Sequence, residues 1–213
     1  MQTPSNIVRL KNLQAVCSIE ANDDLIRQIR SMTQLISIGI SNVKAADETD
    51  LCISIQNMRL LRTLSIKVTN EEETLRMEAL SSPPPNLQKL YLTGKLEKVP
   101  QWFRSLQSLT HLRLHWLRLE EDLLPHITAL PDLGSLVLNN AYVGKQLCFN
   151  IGFLKLTRLS IRNFPQLDEI ILEKGVMPNL KSLYIGSCME LKTVPKGIEY
   201  LQNLFFLPLL TFK

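Results

Sequence analysis

The residues best suited to chemistry are three histidines, His111, His115 and His126, and four cysteines. His111 and His115 stand four apart, a spacing that on a helix would offer two imidazoles to one zinc ion. The residues around them read His-Leu-Arg-Leu-His, an alternation that describes a strand instead. Along a strand the two rings are about 13 Å apart, too far for one ion, so no metal is expected. Cys17, Cys52, Cys148 and Cys188 lie 35, 96 and 40 residues apart without a C-x-x-C pair, and four reduced thiols are expected. No G-x-S-x-G elbow marks a nucleophile, and no G-x-x-x-x-G-K-[ST] loop supplies backbone amides for phosphates. Neither an enzyme nor a cofactor is expected.

Composition narrows the class further. Among 213 residues, 24 are Lys or Arg and 20 are Asp or Glu, a net charge of +4 that is too even to imply nucleic acid. The longest wholly apolar stretch, residues 204–210, is 7 residues long and contains Pro208, against the about 20 needed to cross a bilayer. The first nine residues, MQTPSNIVR, have neither the basic start nor the apolar centre of a secretory signal. A soluble, cytoplasmic chain with no transmembrane segment is expected.

Leucine, with 40 occurrences, carries the pattern that must position everything else. Leu-x-x-Leu-x-Leu or a close variant begins at residues 13, 35, 61, 87, 109, 133, 156, 180 and 204, at spacings of 22, 26, 26, 22, 24, 23, 24 and 24. Those spacings fall in the 20–29-residue window of leucine-rich repeats. Upstream of several copies runs a second register, as in Pro100/Phe103/Leu106/Leu109 and Pro195/Ile198/Leu201/Leu204, with Pro4/Ile7/Leu10/Leu13 as the first. Period 3 to 4 before a strand and period 2 within it describe an outer turn that returns to an inner strand. One coil cannot bury its leucines alone, whereas stacked coils can share a core. The expected fold is α/β: a curved leucine-rich-repeat solenoid with a parallel β ladder on the concave face and short helices and turns on the convex face. A single array of about nine coils over residues 1–213 is expected, cut at both ends because it starts inside a coil at Pro4 and stops on a strand at Leu209.

Alternation then selects the residues that face solvent on the ladder. Eight coils with three such positions each give 24 positions, where the chain-wide rate predicts 24 × 24/213, or about 2.7 basic residues. Five are basic, Lys67, Lys89, Arg113, Arg158 and Arg162, and none is acidic. Tyr91, His111, His115 and Tyr184 share the face, giving a surface suited to an acidic protein partner. Ordinary solvation of a polar face is the competing reading.

Elsewhere the local signals are punctuation. Asp23 or Asp24 is expected to cap a helix through Met32, and Asp47 or Thr49 another through Asn57. Residues 69–80 read as an acidic turn of helix, ended by Pro83-Pro84-Pro85 as a rigid corner. Trp102 and Trp116 are either partner anchors or packing residues. Cys188 is expected to line a turn, in a slot held elsewhere by Lys95, Leu117, Ala141 and Phe164.

Three stretches, residues 10–25 (LKNLQAVCSIEANDDL), 80–100 (LSSPPPNLQKLYLTGKLEKVP) and 177–188 (MPNLKSLYIGSC), carry a further likeness. In these the chain resembles the repeat region of plant nucleotide-binding disease-resistance proteins of the coiled-coil class. The resemblance implies an intracellular immune receptor whose repeats sense a pathogen effector or a guarded host protein and restrain a nucleotide switch. The nucleotide-binding domain itself is absent, and that domain of its own receptor is the third expected partner. A general signalling scaffold or a ubiquitin-ligase substrate receptor is the alternative.

Overall fold

The computed structural model describes residues 7–210; Pro4 and residues 211–213 lie outside the described residues. Numbered in chain order, the strands are β1 (Ala15–Glu20), β2 (Ser37–Val43), β3 (Thr63–Val68), β4 (Lys89–Thr93), β5 (His111–His115), β6 (Ser135–Asn139), β7 (Gln146–Phe149), β8 (Arg158–Arg162), β9 (Glu169–Leu172), β10 (Ser182–Gly186) and β11 (Leu209–Leu210). Nine of them form one sheet in the order β1-β2-β3-β4-β5-β6-β8-β10-β11, and every pairing is parallel. Each repeat contributes one strand to this sheet, the one formed by its Leu-x-Leu alternation. The fold is a leucine-rich-repeat solenoid.

Register stacks like on like. Leu90 pairs with Leu112, Leu112 with Leu136 and Leu136 with Leu159, while Leu92, Leu114, Leu138 and Ile161 form a second row two residues further along the strands. These side chains are buried. Burying one such side chain contributes about 1.5–3 kcal/mol, and a coil gains it only when its neighbours are in place.

A hydrogen-bond pattern that no side chain announces runs along the strand starts. The carbonyl of Gln88 accepts the amides of Thr110 and His111, that of Thr110 accepts Gly134 and Ser135, and that of Gly134 accepts Thr157 and Arg158. Gln14, Ile36, Arg62, Thr157 and Lys181 repeat the arrangement. Backbone groups at the edge of the core are thereby satisfied at every coil. Away from this sheet, β7 and β9 pair in parallel, and single bridges join Thr74 to Lys95, Leu119 to Tyr142 and Ile171 to Lys196.

Helices are few: α1 (Asp23–Gln28), α2 (Glu48–Gln56) and α3 (Leu124–Ile127), with short 3-10 turns elsewhere. The cap of α1 is Asn22, whose side chain accepts the Leu25 amide at 2.9 Å, not Asp23 or Asp24, and the helix continues to Ser31 as a 3-10 turn. Asp47 precedes α2 and accepts the Lys44 amide at 2.8 Å.

The backbone departs from the regular repeat in β1 and corrects two expectations. In β1, Cys17 and Ser18 together oppose Gly39, a bulge that turns Ile19 into the core in place of Ser18. Gly39 accommodates it, since a Cβ there would stand 3.0 Å from the Ser18 amide nitrogen. Residues 69–80 form turns rather than a helix: Asn70 accepts the amides of Glu72 and Glu73, and the Leu75 amide is drawn to the Lys95 carbonyl of the next coil. After β4 the buried slot belongs to Leu96, not Lys95, because Gly94 at φ +141° adds a step to the turn. Any Cβ on Gly94 would lie 2.6 Å from a Val68 methyl, so this position requires glycine.

Candidate functional site

The solvent side of the ladder is built in three rows, each fixed by strand register. The first row runs Thr63, Lys89, His111, Ser135, Arg158 and Ser182; the second Ser65, Tyr91, Arg113, Val137, Ser160 and Tyr184; the third Lys67, Thr93, His115, Asn139, Arg162 and Gly186. All nine residues expected on the face are on it. The face also holds one acid that the repeat pattern hides. The β1 bulge brings Glu20 opposite Ser41, at the N-terminal edge of the ladder.

Side chains on neighbouring strands then meet. The guanidinium carbon of Arg113 lies 5.1 Å from the ring centroid of Tyr91, and that of Arg162 lies 4.0 Å from the centroid of Tyr184. Arg162 is held a second way, its Nε donating to Ser160 Oγ at 3.0 Å. Such stacks contribute about 0.5–1 kcal/mol at exposed sites, and here they fix the direction of two otherwise mobile side chains. Lys67 is separated from Arg162 by three strands and is not part of this cluster.

Arg113, His115, Val137, Asn139, Ser160 and Arg162 line a shallow depression of about 220 Å³. Val137, Asn139 and Ser160 were not among the expected residues, because their identity carries no charge signal and only the register places them there. No hydrogen bond reaches the His115 ring from the described residues, and its Nε2 is buried without a partner. Burial first, then Arg113 and Arg162, hold the His115 pKa below the ordinary imidazole value. His111 is pushed the same way by burial, Lys89, Arg113 and Arg158, and its Nδ1 sits 2.9 Å from Thr110 Oγ1. In both rings these surroundings favour the neutral imidazole.

The cationic residues divide by location. The ion pairs between described residues are Arg27–Asp50, Arg76–Glu97, Arg118 with Glu71 and Glu72, Lys155–Asp132 and Lys196–Glu169. None involves Lys67, Lys89, Arg113, Arg158 or Arg162.

Other candidates go elsewhere. His126 sits on α3, off the ladder, so the three histidines do not converge, and among the described residues no group of three His, Cys, Asp or Glu side chains could hold a metal ion. Trp102 packs: it is buried, its indole N–H donates to the Met77 carbonyl at 3.0 Å, and it lies 4.8 Å from Phe103. Trp116 is half-buried at φ +57°, directly after His115. Cys188 is buried in its turn, with Sγ 3.5 Å from the Gly186 carbonyl. No helix among the described residues is long and apolar enough to cross a membrane.

Stacked coils with one parallel ladder define the class, and the chain belongs to the leucine-rich repeat region family, whose model matches residues 1–211. Its relatives include the disease resistance protein RPM1 of Arabidopsis thaliana, 40% identical over 198 residues, covering 93% of this chain and 21% of the relative. Disease resistance RPP8-like protein 3 of the same plant is 29% identical over 200 residues, covering 92% and 22%. The chain thus spans about a fifth of the length of these relatives. Among solved structures, a TLR13–ssRNA13 complex superposes with a TM-score of 0.63 at 20% identity, covering 98% of this chain and 30% of that one, a likeness of fold alone.

Proposed function

We propose that this chain is the partner-recognition array of a plant immune receptor, a non-enzymatic, cytoplasmic solenoid that binds protein through its concave ladder. Its partner is a pathogen effector, a guarded host protein or the nucleotide-binding domain of its own receptor. Relatedness to plant disease resistance proteins supports the setting. The observation that carries the mode of binding is the unpaired state of the five ladder cations beside five cations that are paired elsewhere. Unpaired, oriented cations steer an acidic partner and fix its register.

The test replaces Lys89, Arg113 and Arg158 together with glutamate in the full-length receptor. The expected result is a lost defense response or constitutive activity at unchanged protein level, while the same reversal at Lys98, Arg104 and Lys192, off the ladder, leaves the response intact. An unaltered response from the ladder triple contradicts the proposal.

A further inference from the structure

We infer that the depression between Arg113 and Arg162 is a carboxylate-binding subsite in which His115 takes up a proton when an aspartate or glutamate side chain of the partner docks. The inference rests on the reading of the ladder as the binding face and names the group recognised there. It starts from the orphaned ring. Buried polar atoms in folded proteins nearly all have a partner, and one that lacks it calls for an explanation. His115 Nε2 lacks one while the ring borders an open depression. Arg113 and Arg162 line the same depression from opposite sides, their guanidiniums held on the flanking Tyr91 and Tyr184 rings, and neither is neutralised by an acid of the described residues.

The groups facing His115 make its charge depend on the ligand. Arg113 on its own strand and Arg162 two strands along are the charged groups, and the adjoining strands place uncharged Thr93 and Asn139 beside it. With only cations near, the charged form of the ring is disfavoured. A carboxylate seated in the depression beside His115 supplies the missing counter-charge, which favours the imidazolium. The proton comes from solvent and is held on the ring until the ligand leaves.

Carboxylate is favoured over nucleic acid by the rings. One face of Tyr91 and one of Tyr184 are already covered by arginine, so they are poor platforms for base stacking, and the cations form a cluster on β4, β5 and β8 rather than a track. A planar guanidinium held by stacking presents its donors in the fork that matches a carboxylate.

The measurement uses a capped hexaglutamate peptide as probe and the whole chain, with the His115 ring signals followed by NMR from pH 7.5 to 5.5. Partial protonation of the glutamates at the acid end of that range weakens binding, so any tightening as pH falls belongs to the protein. The expected result is a His115 pKa that rises on saturation, with affinity increasing as pH falls by about tenfold for each unit of that rise. Arg162→Gln removes the rise, and His115→Gln binds with a flat pH profile. Binding with an unmoved His115 and the same pH profile in His115→Gln overturns the subsite and leaves the ladder reading standing. Failure of the wild-type chain to bind the peptide at any pH in the range overturns both, as does tighter binding of a six-residue oligothymidylate.

Discussion

Arg162 lies with its guanidinium carbon 4.0 Å from the centre of the Tyr184 ring, bridging two adjacent strands of the ladder while its Nε is tied to Ser160. An arginine fixed at two points has little rotamer freedom left to lose when a ligand arrives. Replacing Tyr184 with serine removes the stack and leaves the leucine spine untouched. Affinity for an acidic peptide is expected to fall about two- to fivefold, the equivalent of about 0.5–1 kcal/mol, with the unfolding midpoint nearly unchanged. Calorimetric titration alongside a urea melt separates the two effects.

Stability resides one row inward. Leu112 is buried between Leu90 and Leu136, so Leu112→Ala is expected to cost about 2–5 kcal/mol, whereas Ser135→Ala on the solvent side costs little. Because coils stabilise only their neighbours, hydrogen exchange in Leu112→Ala should rise most in β4, β5 and β6.

Strand ends depend on left-handed residues. Asn140 at φ +48° and Asn163 at φ +55° turn the chain after β6 and β8, as Ser187 does after β10 at φ +56°. Asn140→Ala is expected to destabilise by about 1 kcal/mol and Asn140→Gly to be neutral or better, read from unfolding midpoints. Trp116, at φ +57° in the equivalent position after β5, is a bulky residue where the turn favours asparagine or glycine.

The nine strands were legible because leucine alternation states both the strand and its buried side, and the 22–26 spacing aligns one coil with the next. Misreadings occurred where a distant contact or an extra residue intervened. The bulge at Cys17 and Ser18 moved Ile19 inward, and the acidic segment that looks helical over residues 69–80 yields its Leu75 amide to Lys95, twenty residues on. For the site, residue type gave Arg113, His115 and Arg162 a place on one face. Their convergence on one depression, the arginine–tyrosine stacks and the orphaned Nε2 depend on side-chain direction across strands, which alternation does not encode.

Arg118 latches the loop before β4 by pairing with Glu71 at 3.1 Å and Glu72 at 2.7 Å. The hydrogen bond and charge of Arg118 hold the Glu72 carboxyl below the ordinary 4.5. A depressed carboxyl contributes stability above its unfolded value and loses it as pH falls through the folded one. The loop is therefore expected to stay closed from neutral pH down to about 4.5 and to open in stronger acid. Hydrogen exchange at Glu72 and Glu73 follows the opening, and Arg118→Ala should abolish the pH step.

The four thiols should react in order of access. Cys17 is exposed, Cys148 half-buried, and Cys52 and Cys188 buried. Burial, reinforced by Glu48 and Glu78, pushes the Cys52 thiol up to about 12, and burial raises Cys188 and Cys148 as well. Iodoacetamide at pH 8 is expected to label Cys17 first and Cys148 more slowly, with Cys52 and Cys188 reacting only in urea, as read by peptide mass spectrometry.

Backbone amide shifts recorded while capped hexaglutamate peptide is added to the whole chain test the binding face most directly. The account predicts that the shifts concentrate on β4, β5, β6 and β8, around Arg113, His115 and Arg162, and weaken as salt is raised. Shifts centred instead on the off-ladder cations Lys98, Arg104 and Lys192, with the ladder silent, would contradict it.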